Sequence, residues 1–180
     1  MKIAILGWGS LIYRPGDMLL EGNWQPGGPV LKIEFSRISS DGRLTLVIDP
    51  QHGSDVVTLY VKSGRTDAED AICDLMIREG TTKSNIGVCN KEGAQIENHP
   101  DVETKIRAWL NTAGFDTAIW TDLNSNYRTK QNCEFSIDDA FNYLESLPPI
   151  CKANARDYIL KAPTQTETAL RVHLKQKGWL

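Results

Sequence analysis

The chain has 180 residues, of which 41% are hydrophobic and 24% charged, and its formal net charge is -3. This length and composition predict one globular domain over residues 1–180, large enough to bury roughly 70% of its unfolded surface. The weak negative charge argues against a nucleic-acid partner, and no apolar stretch approaches the roughly 20 residues that span a bilayer. Because the N-terminus also lacks the pattern of a signal peptide, we expect a cytoplasmic protein with no membrane partner.

The first half of the chain predicts mainly β-strands. An apolar run over residues 3–6 is typical of a buried strand, and it ends in the glycine-containing segment 7–11. Residues 13–29 are rich in glycine and proline and predict an irregular surface loop. Further strands are predicted over residues 30–38, 43–48 and 56–61.

Helices are interleaved with strands in the second half. Two capping boxes, beginning at Thr66 and Thr164, predict the starts of two helices. Other helices are expected over residues 100–112, 136–147 and 150–161, and strands over 86–89 and 117–121. This order predicts an α+β protein with a mostly antiparallel sheet, curled around a small core or closed into a small barrel, and surrounded by helices.

The segment 7–11 is the first candidate site. Its glycines allow a sharp turn that presents bare backbone N–H groups, which suit a carboxylate or a developing oxyanion. A purely structural turn is the alternative. Ile12 stands where a dinucleotide-binding loop has its third glycine, and the spacing around Ser10 is not that of a serine hydrolase. We therefore expect neither a nucleotide cofactor nor a serine nucleophile.

The second candidate is Glu79. Apolar residues at positions 68, 71, 72, 75 and 76 form one helical stripe, and position 79 is the next on that stripe. A carboxylate at a helical position that normally holds a core residue is suited to general acid–base catalysis. Because Gly80 follows at once, the alternative is a helix end at which Glu79 faces solvent or pairs with Arg78 or Lys83.

Weaker candidates lie elsewhere. Arg37, on a predicted strand, either binds a substrate carboxylate or forms a surface ion pair. Trp8, Tyr13 and Trp24 either wall a pocket near the glycine loop or belong to the core. Asp122, after a strand, either makes hydrogen bonds in a loop, which is the role we expect, or borders a site.

The cysteines and histidines carry no recognisable motif. The four cysteines are not paired as C-x-x-C and the three histidines do not form H-E-x-x-H. We expect reduced, mostly buried cysteines, no metal and no cofactor.

Trp8-Gly9-Ser10-Leu11 and Leu75-Met76-Ile77-Arg78-Glu79, in that order and about 70 residues apart, resemble the two signature segments of the γ-glutamylcyclotransferase-like family, which includes the ChaC-type enzymes of glutathione metabolism. Tyr13-Arg14-Pro15-Gly16 also resembles an extension found in ChaC-type sequences. The similarity covers residues 1–90. It implies a core of 1–90 that holds the glycine loop and a catalytic glutamate, with 91–180 as a mainly helical extension of the same domain.

The resemblance implies a reaction as well as a fold. Glu79 would be the acid–base catalyst, and the substrate-binding residues would be Gly7, Trp8, Gly9, Ser10 and Leu11. The family reaction cyclises a γ-glutamyl amine or peptide to 5-oxoproline and releases the amine, without metal or cofactor. Such enzymes are classed as lyases or transferases.

The sequence departs from the family pattern at three places. Trp8 replaces the loop tyrosine, residues 81–86 lack the tyrosine that often follows the glutamate, and the C-terminal half extends beyond the minimal domain. Two alternatives therefore stay open: a small-molecule or protein-binding module on the same fold, and a related amide-processing enzyme. The oligomeric state is not predicted.

Overall fold

A computed structural model describes the whole chain, Met1–Leu180. The strands are β1 (Ile3–Gly7), β2 (Leu20–Ile38), β3 (Leu44–Ile48), β4 (Ser54–Ser63), β5 (Ile86–Asn90), β6 (Ala94–Gln95) and β7 (Thr117–Thr121). The α-helices are α1 (Ser10–Tyr13), α2 (Ala68–Glu79), α3 (Glu103–Ala113), α4 (Tyr127–Gln131), α5 (Ile137–Ser146), α6 (Pro149–Lys161) and α7 (Ala169–Gln176). Short 3₁₀ turns cover Lys83–Asn85 and Pro100–Val102. The predicted α+β class is confirmed.

The strands form a mixed, open sheet in the order β3-β2-β4-β1-β7-β5-β6. β1 and β7 run parallel, with Ala4 opposite Ala118, whereas β1–β4, β2–β3, β5–β6 and β5–β7 are antiparallel. A barrel requires its first and last strands to pair, but β3 and β6 are the two ends of a linear order. The curled sheet or small barrel expected from the sequence is therefore not found.

Most predicted elements lie within a few residues of their predicted positions, but the surface loop over 13–29 is wrong. Its second half, from Leu20, belongs to the 19-residue strand β2. The Thr58 hydroxyl donates a hydrogen bond to the carbonyl of Pro29 at 2.8 Å. Pairing with neighbouring strands outweighs the weak strand preference of glycine and proline in this segment.

Both capping boxes are also misplaced, although their helices exist. Asp67, not Thr66, caps α2 by accepting hydrogen bonds from the amides of Glu69 and Asp70. Thr168 rather than Thr164 caps α7, through the amide of Arg171. Several polar residues in a row offer competing caps, and the local pattern does not choose among them.

All four cysteines are free, but the expectation that they are mostly buried is wrong. Cys73 and Cys133 are exposed, and Cys151 is half-buried. Only Cys89, on β5, is buried, and this burial raises the pKa of its thiol.

Contacts divide the chain into two compact units, which are described separately. The first consists of Met1–Leu31 with Val57–Leu123, and the second of Lys32–Val56 with Asn124–Leu180. The predicted single domain, divided at residue 90, stays a prediction.

The first unit is built around β1, whose five residues are all buried. β1 lies between β4 and β7. One hydrophobic cluster joins these strands to the apolar stripe of α2; its buried members are Ile3, Ile5, Leu11, Met18, Val61, Ala71, Ile72, Leu75, Ile86 and Ile119. The core therefore holds the end of β1 and the helix that carries Glu79 in one rigid unit.

In the same unit, Trp120 of β7 lies directly over Gly87 of β5. Trp120 is fully buried, and a Cβ added to Gly87 would lie 2.2 Å from its indole ring. Because the two residues are cross-strand partners, neither can move away without disturbing the β5–β7 pair. Only glycine fits at position 87.

We expect Gly87→Ala to lower the free energy of unfolding by about 3 kcal/mol, since overpacking a close-packed core forces side chains and backbone to shift. Urea unfolding followed by tryptophan fluorescence measures the loss. Gly93→Ala is the matched control, because a Cβ there meets nothing within 4 Å. Equal stability of the Gly87 and Gly93 variants would contradict this account of the packing.

The second unit contains the last part of β2, paired with β3. β3 is an edge strand of the sheet, and the Tyr158 hydroxyl of α6 accepts a hydrogen bond from the amide of Leu46 at 3.3 Å. The Tyr158 ring also packs edge-on against Phe35 of β2, with ring centroids 6.2 Å apart. Covering an edge strand in this way blocks pairing with other chains.

Glu34 of β2 is a fully buried carboxyl group in the second unit. Its Oε1 accepts a hydrogen bond from the amide of Phe35 at 2.8 Å, and its Oε2 accepts one from the amide of Leu170, near the start of α7, at 3.3 Å. Burial raises the pKa of Glu34, although hydrogen bonds from Thr168, Phe35 and Leu170 oppose the rise; nearby Asp49 adds to it.

This raised pKa predicts a pH-dependent stability. The folded state holds the Glu34 proton more tightly than the unfolded state, whose pKa is close to the ordinary value of 4.5. The stabilisation is fully present below that value and is lost as pH rises through the folded-state pKa. Urea midpoints measured from acid to neutral pH should show this loss, and Glu34→Gln should remove that part of the slope. An unchanged slope, or the same effect from the exposed Glu134→Gln, would contradict the prediction.

Candidate functional site

The predicted glycine loop follows directly from β1. Gly7 is the last residue of that strand and pairs with Leu59 of β4. A Cβ on Gly7 would lie 2.8 Å from the ring of Trp24. The indole therefore occupies the space that a side chain at position 7 would need. A larger residue at position 7 would therefore displace the Trp24 ring.

After Gly7 the chain forms a short helix rather than an open loop. The amide of Ile12 donates to the carbonyl of Gly9 at 3.1 Å, and the amide of Arg14 donates to the carbonyl of Ser10 at 2.9 Å. No side chain caps this helix, and the first amides of a helix have no acceptor within it. Of the predicted N–H donors, those of Ser10 and Leu11 belong to the start of α1.

Four of the five residues predicted in this segment are buried: Gly7, Trp8, Gly9 and Leu11. Trp8 is 6% exposed and Leu11 5%, so both belong to the packed interior rather than to an open wall. Ser10 is half-buried and is the most accessible of the five. Its hydroxyl is the side-chain group of this segment that a ligand can meet most readily.

Helix α2 presents Glu79 as its last residue. Ala71, Ile72 and Leu75 are buried as the helical pattern predicts, and Gly80 ends the helix in the left-handed conformation with φ of 60°. The Glu79 side chain is 19% exposed. The carboxylate is therefore mostly removed from solvent although it stands at a helix end.

Arg78 joins Glu79 to the glycine segment. Its Nη1 donates to Oε1 of Glu79, and its Nη2 donates to Oγ of Ser10 at 3.1 Å. Its Nε and Nη2 also donate to the carbonyl of Arg14, at 2.9 and 2.8 Å. The two predicted motifs, 68 positions apart at Ser10 and Arg78, thus meet through one guanidinium group.

The structure selects one of the alternatives raised for Glu79. The carboxylate pairs with Arg78, whereas Lys83 binds both carboxylate oxygens of Glu69 at 2.8 and 2.6 Å. The sequence pattern predicts Arg78 only as a possible partner of Glu79 and not as a site residue. Its place in the L-x-x-R-E segment, directly before the glutamate, was the available signal.

Trp24 is a further feature beside this segment. Its ring packs against the core cluster of the first unit, in agreement with the core alternative. Its Nε1 is buried and has no hydrogen-bond partner. An indole N–H without an acceptor is unusual in a protein interior.

Arg37 belongs to the second unit. Its Nη1 donates to the carbonyl of Asn124 at 2.7 Å, so its partner is a backbone oxygen rather than the carboxylate of a surface ion pair. Burial lowers the pKa of its guanidinium group. Its assignment as a substrate-binding residue stays a prediction.

Asp122 is a fully buried carboxyl group in the first unit. Asp122 accepts a hydrogen bond from the amide of Asn98 at 3.0 Å, and its Oδ1 lies 2.7 Å from Nδ1 of the buried His99. The Nε1 of Trp120 lies 3.4 Å from the same oxygen. Asp122 is thus hydrogen-bonded as expected, and it ties the segment before α3 to the end of β7.

A cleft of about 200 Å³ also lies in the first unit. Its lining residues are Lys83, Ser84, Ile86, Val88, Gln95 and Glu97. None of them is a predicted site residue. The candidate site is instead formed by Ser10, Arg78 and Glu79, because hydrogen bonds join the side chains of these three residues.

The side chains offer no arrangement suited to a metal ion, since no three His, Cys, Asp or Glu residues are grouped to hold one. None of the helices combines the length and the apolar character needed to cross a membrane.

Comparisons with family models, curated proteins and solved structures found no match for this chain.

Proposed function

We propose that this protein is a γ-glutamylcyclotransferase-like enzyme on a γ-glutamylcyclotransferase-like fold. Its substrate would be a γ-glutamyl amine or peptide, and its products 5-oxoproline and the free amine. The observation that carries the proposal is the contact of Arg78 with both Glu79 and Ser10. It brings together the two segments on which the family resemblance rests.

The proposed reaction needs one group that accepts and later returns a proton. The Glu79 carboxylate takes a proton from the substrate α-ammonium, and the freed nitrogen attacks the γ-carbonyl carbon. A carbon–nitrogen bond forms to close the five-membered ring. As the tetrahedral intermediate collapses, the bond to the leaving nitrogen breaks, and Glu79 returns the proton to that nitrogen. The ring nitrogen loses its second hydrogen as a proton to the released amine, which leaves as an ammonium ion.

The other groups of the site orient the substrate. Donors at the start of α1 and the Ser10 hydroxyl suit the negative charge that develops on the carbonyl oxygen. Because nucleophile and carbonyl belong to one molecule, holding them in the reactive geometry supplies much of the acceleration. No cofactor takes part in this scheme, and the expected partner is a small molecule in the cytoplasm.

The binding module is the second candidate, and one observation favours it. The Glu79 carboxylate is already paired with Arg78, as a residue with a purely structural role would be. In that case the same donors would hold a γ-glutamyl compound or another anionic ligand without turnover.

Mass spectrometry of 5-oxoproline separates the two candidates. The protein is incubated with glutathione, γ-glutamyl dipeptides and γ-glutamyl amines, and 5-oxoproline and the released amine are quantified together. Equimolar formation of both products supports the enzyme. Binding of the same compounds in calorimetry without any product supports the module, and neither binding nor product contradicts both.

A further inference from the structure

The hydrogen-bond directions around Arg78 define a role for Ser10. A serine hydroxyl has one hydrogen to donate and two lone pairs that accept. Arg78 Nη2 donates to Ser10 Oγ, so this contact occupies a lone pair and leaves the hydroxyl hydrogen free. A donated hydrogen bond also polarises the hydroxyl and makes it a stronger donor.

Arg78 itself has little capacity left for a ligand. Its side chain is 11% exposed, and all three of its nitrogens donate to protein oxygens, on Arg14, Ser10 and Glu79. A guanidinium group engaged in this way holds neighbouring groups in place rather than receiving a substrate carboxylate.

From these contacts we infer that Arg78 is a positioning residue, which fixes the Glu79 carboxylate and directs the Ser10 hydroxyl hydrogen towards an acceptor oxygen of the ligand. This inference rests on the proposed function for the identity of that oxygen, which would belong to the γ-glutamyl group. It assigns Ser10 as a donor in the site and not as a nucleophile.

The first experiment tests whether Arg78 holds the glycine segment in place, and it does not depend on enzymatic turnover. Amide hydrogen exchange is compared between the wild type, Arg78→Gln and Arg78→Lys, with Arg65→Gln as the matched control. Arg65 makes an ion pair with Asp74 of α2, the helix that also carries Arg78, through two hydrogen bonds of 2.8 and 2.9 Å. We expect the amides of Ile12 and Arg14 to exchange about tenfold faster in the Arg78 variants and to be unchanged in the control.

Unchanged exchange in both Arg78 variants, with β1 still protected, overturns the inference. So does an equal increase in the Arg65 control. If Arg78→Gln loses protection throughout the first unit, Arg78→Lys decides the result, because lysine keeps the charge but lacks the planar fork of donors.

The second experiment uses turnover of the γ-glutamyl substrate. Misplacing a catalytic group slightly is costly, so Arg78→Lys should lower kcat by about 10- to 100-fold while KM changes less than about threefold. A rise in KM at constant kcat would instead make Arg78 a substrate-binding residue and overturn the inference. Ser10→Ala combined with Arg78→Lys should cost less than the product of the single effects, since both act through one contact.

The two experiments also separate this inference from the proposed function. Absence of turnover in the wild type overturns the proposed reaction, whereas the exchange measurement still decides whether Arg78 holds the glycine segment.

Discussion

Glu79→Gln is expected to lower kcat for 5-oxoproline release by about 100-fold or more. Glutamine has nearly the shape of glutamate and keeps an oxygen that can accept the hydrogen bond from Arg78. Its amide cannot take a proton from the substrate ammonium at neutral pH. The variant therefore removes the proposed proton transfer and leaves the contact with Arg78 possible. Mass spectrometry of product formed against time measures the loss.

Glu69→Gln is the matched control for this prediction. Glu69 lies on the same helix and pairs with Lys83, but its side chain is 64% exposed. Its replacement should change both kcat and the unfolding midpoint little, because exposed ion pairs contribute only about 0–1 kcal/mol. A Glu79→Gln protein with wild-type stability and more than about a third of the activity would show that Glu79 is not the proton acceptor.

Replacing Arg171 by methionine is expected to lower the free energy of unfolding by about 3–5 kcal/mol. Arg171 of α7 is only 5% exposed. Its Nη1 donates to the carbonyls of Pro163 and Thr166 at 2.6 and 3.0 Å, and its Nη2 to those of Ala162 and Leu160 at 2.9 and 3.4 Å. Methionine fills part of the volume but removes all four of these hydrogen bonds, although the carbonyl of Pro163 keeps the amide of Thr166 as a donor at 3.0 Å.

The position of these carbonyls explains why the effect is large. Leu160 lies in the last turn of α6 and Ala162 directly follows that helix, where carbonyls lack a partner within the helix, and Arg171 supplies donors and positive charge there. Burial lowers the pKa of Arg171, with nearby Glu167 opposing that change. Methionine avoids the free-energy cost of burying the guanidinium charge, but the cost of losing the hydrogen bonds to the carbonyls is larger.

Urea unfolding monitored by circular dichroism measures the Arg171 prediction. Arg156→Met is the control, because Arg156 is exposed on α6. Arg171→Lys should be intermediate, since an ammonium group provides three donors without the planar fork. A loss of less than about 1 kcal/mol in Arg171→Met would show that water or a shifted chain satisfies the carbonyls.

Several elements follow from local rules and were predicted from the sequence. Gly80 and Gly114 end α2 and α3 in the left-handed conformation, and Ser136 caps α5 through the amide of Asp139. β7 spans residues 117–121 as predicted. Caps and apolar runs act over a few residues, so their information lies within the segment itself.

Elements that depend on distant partners were not predictable in this way. β2 extends through a segment rich in glycine and proline because other strands pair with it. The two-residue strand β6 exists only through its pairing with β5. The linear strand order likewise reflects which edges meet, and no local pattern carries that information.

The candidate site likewise has features that the local sequence predicts and features that only tertiary contacts produce. The sequence by itself determined a strand over residues 3–6 that leads into Gly7, a helix that ends around Arg78 or Glu79 and the position of Glu79 on the apolar stripe, because strand and helix periodicity are local. Only the tertiary structure decided that Arg78 binds Ser10, Arg14 and Glu79 together, that α1 begins at Ser10 and that Trp24 packs on Gly7. Such contacts form because packing of the core cluster brings β1 and α2 together. The residues that make them are far apart in the sequence, so no local pattern predicts them.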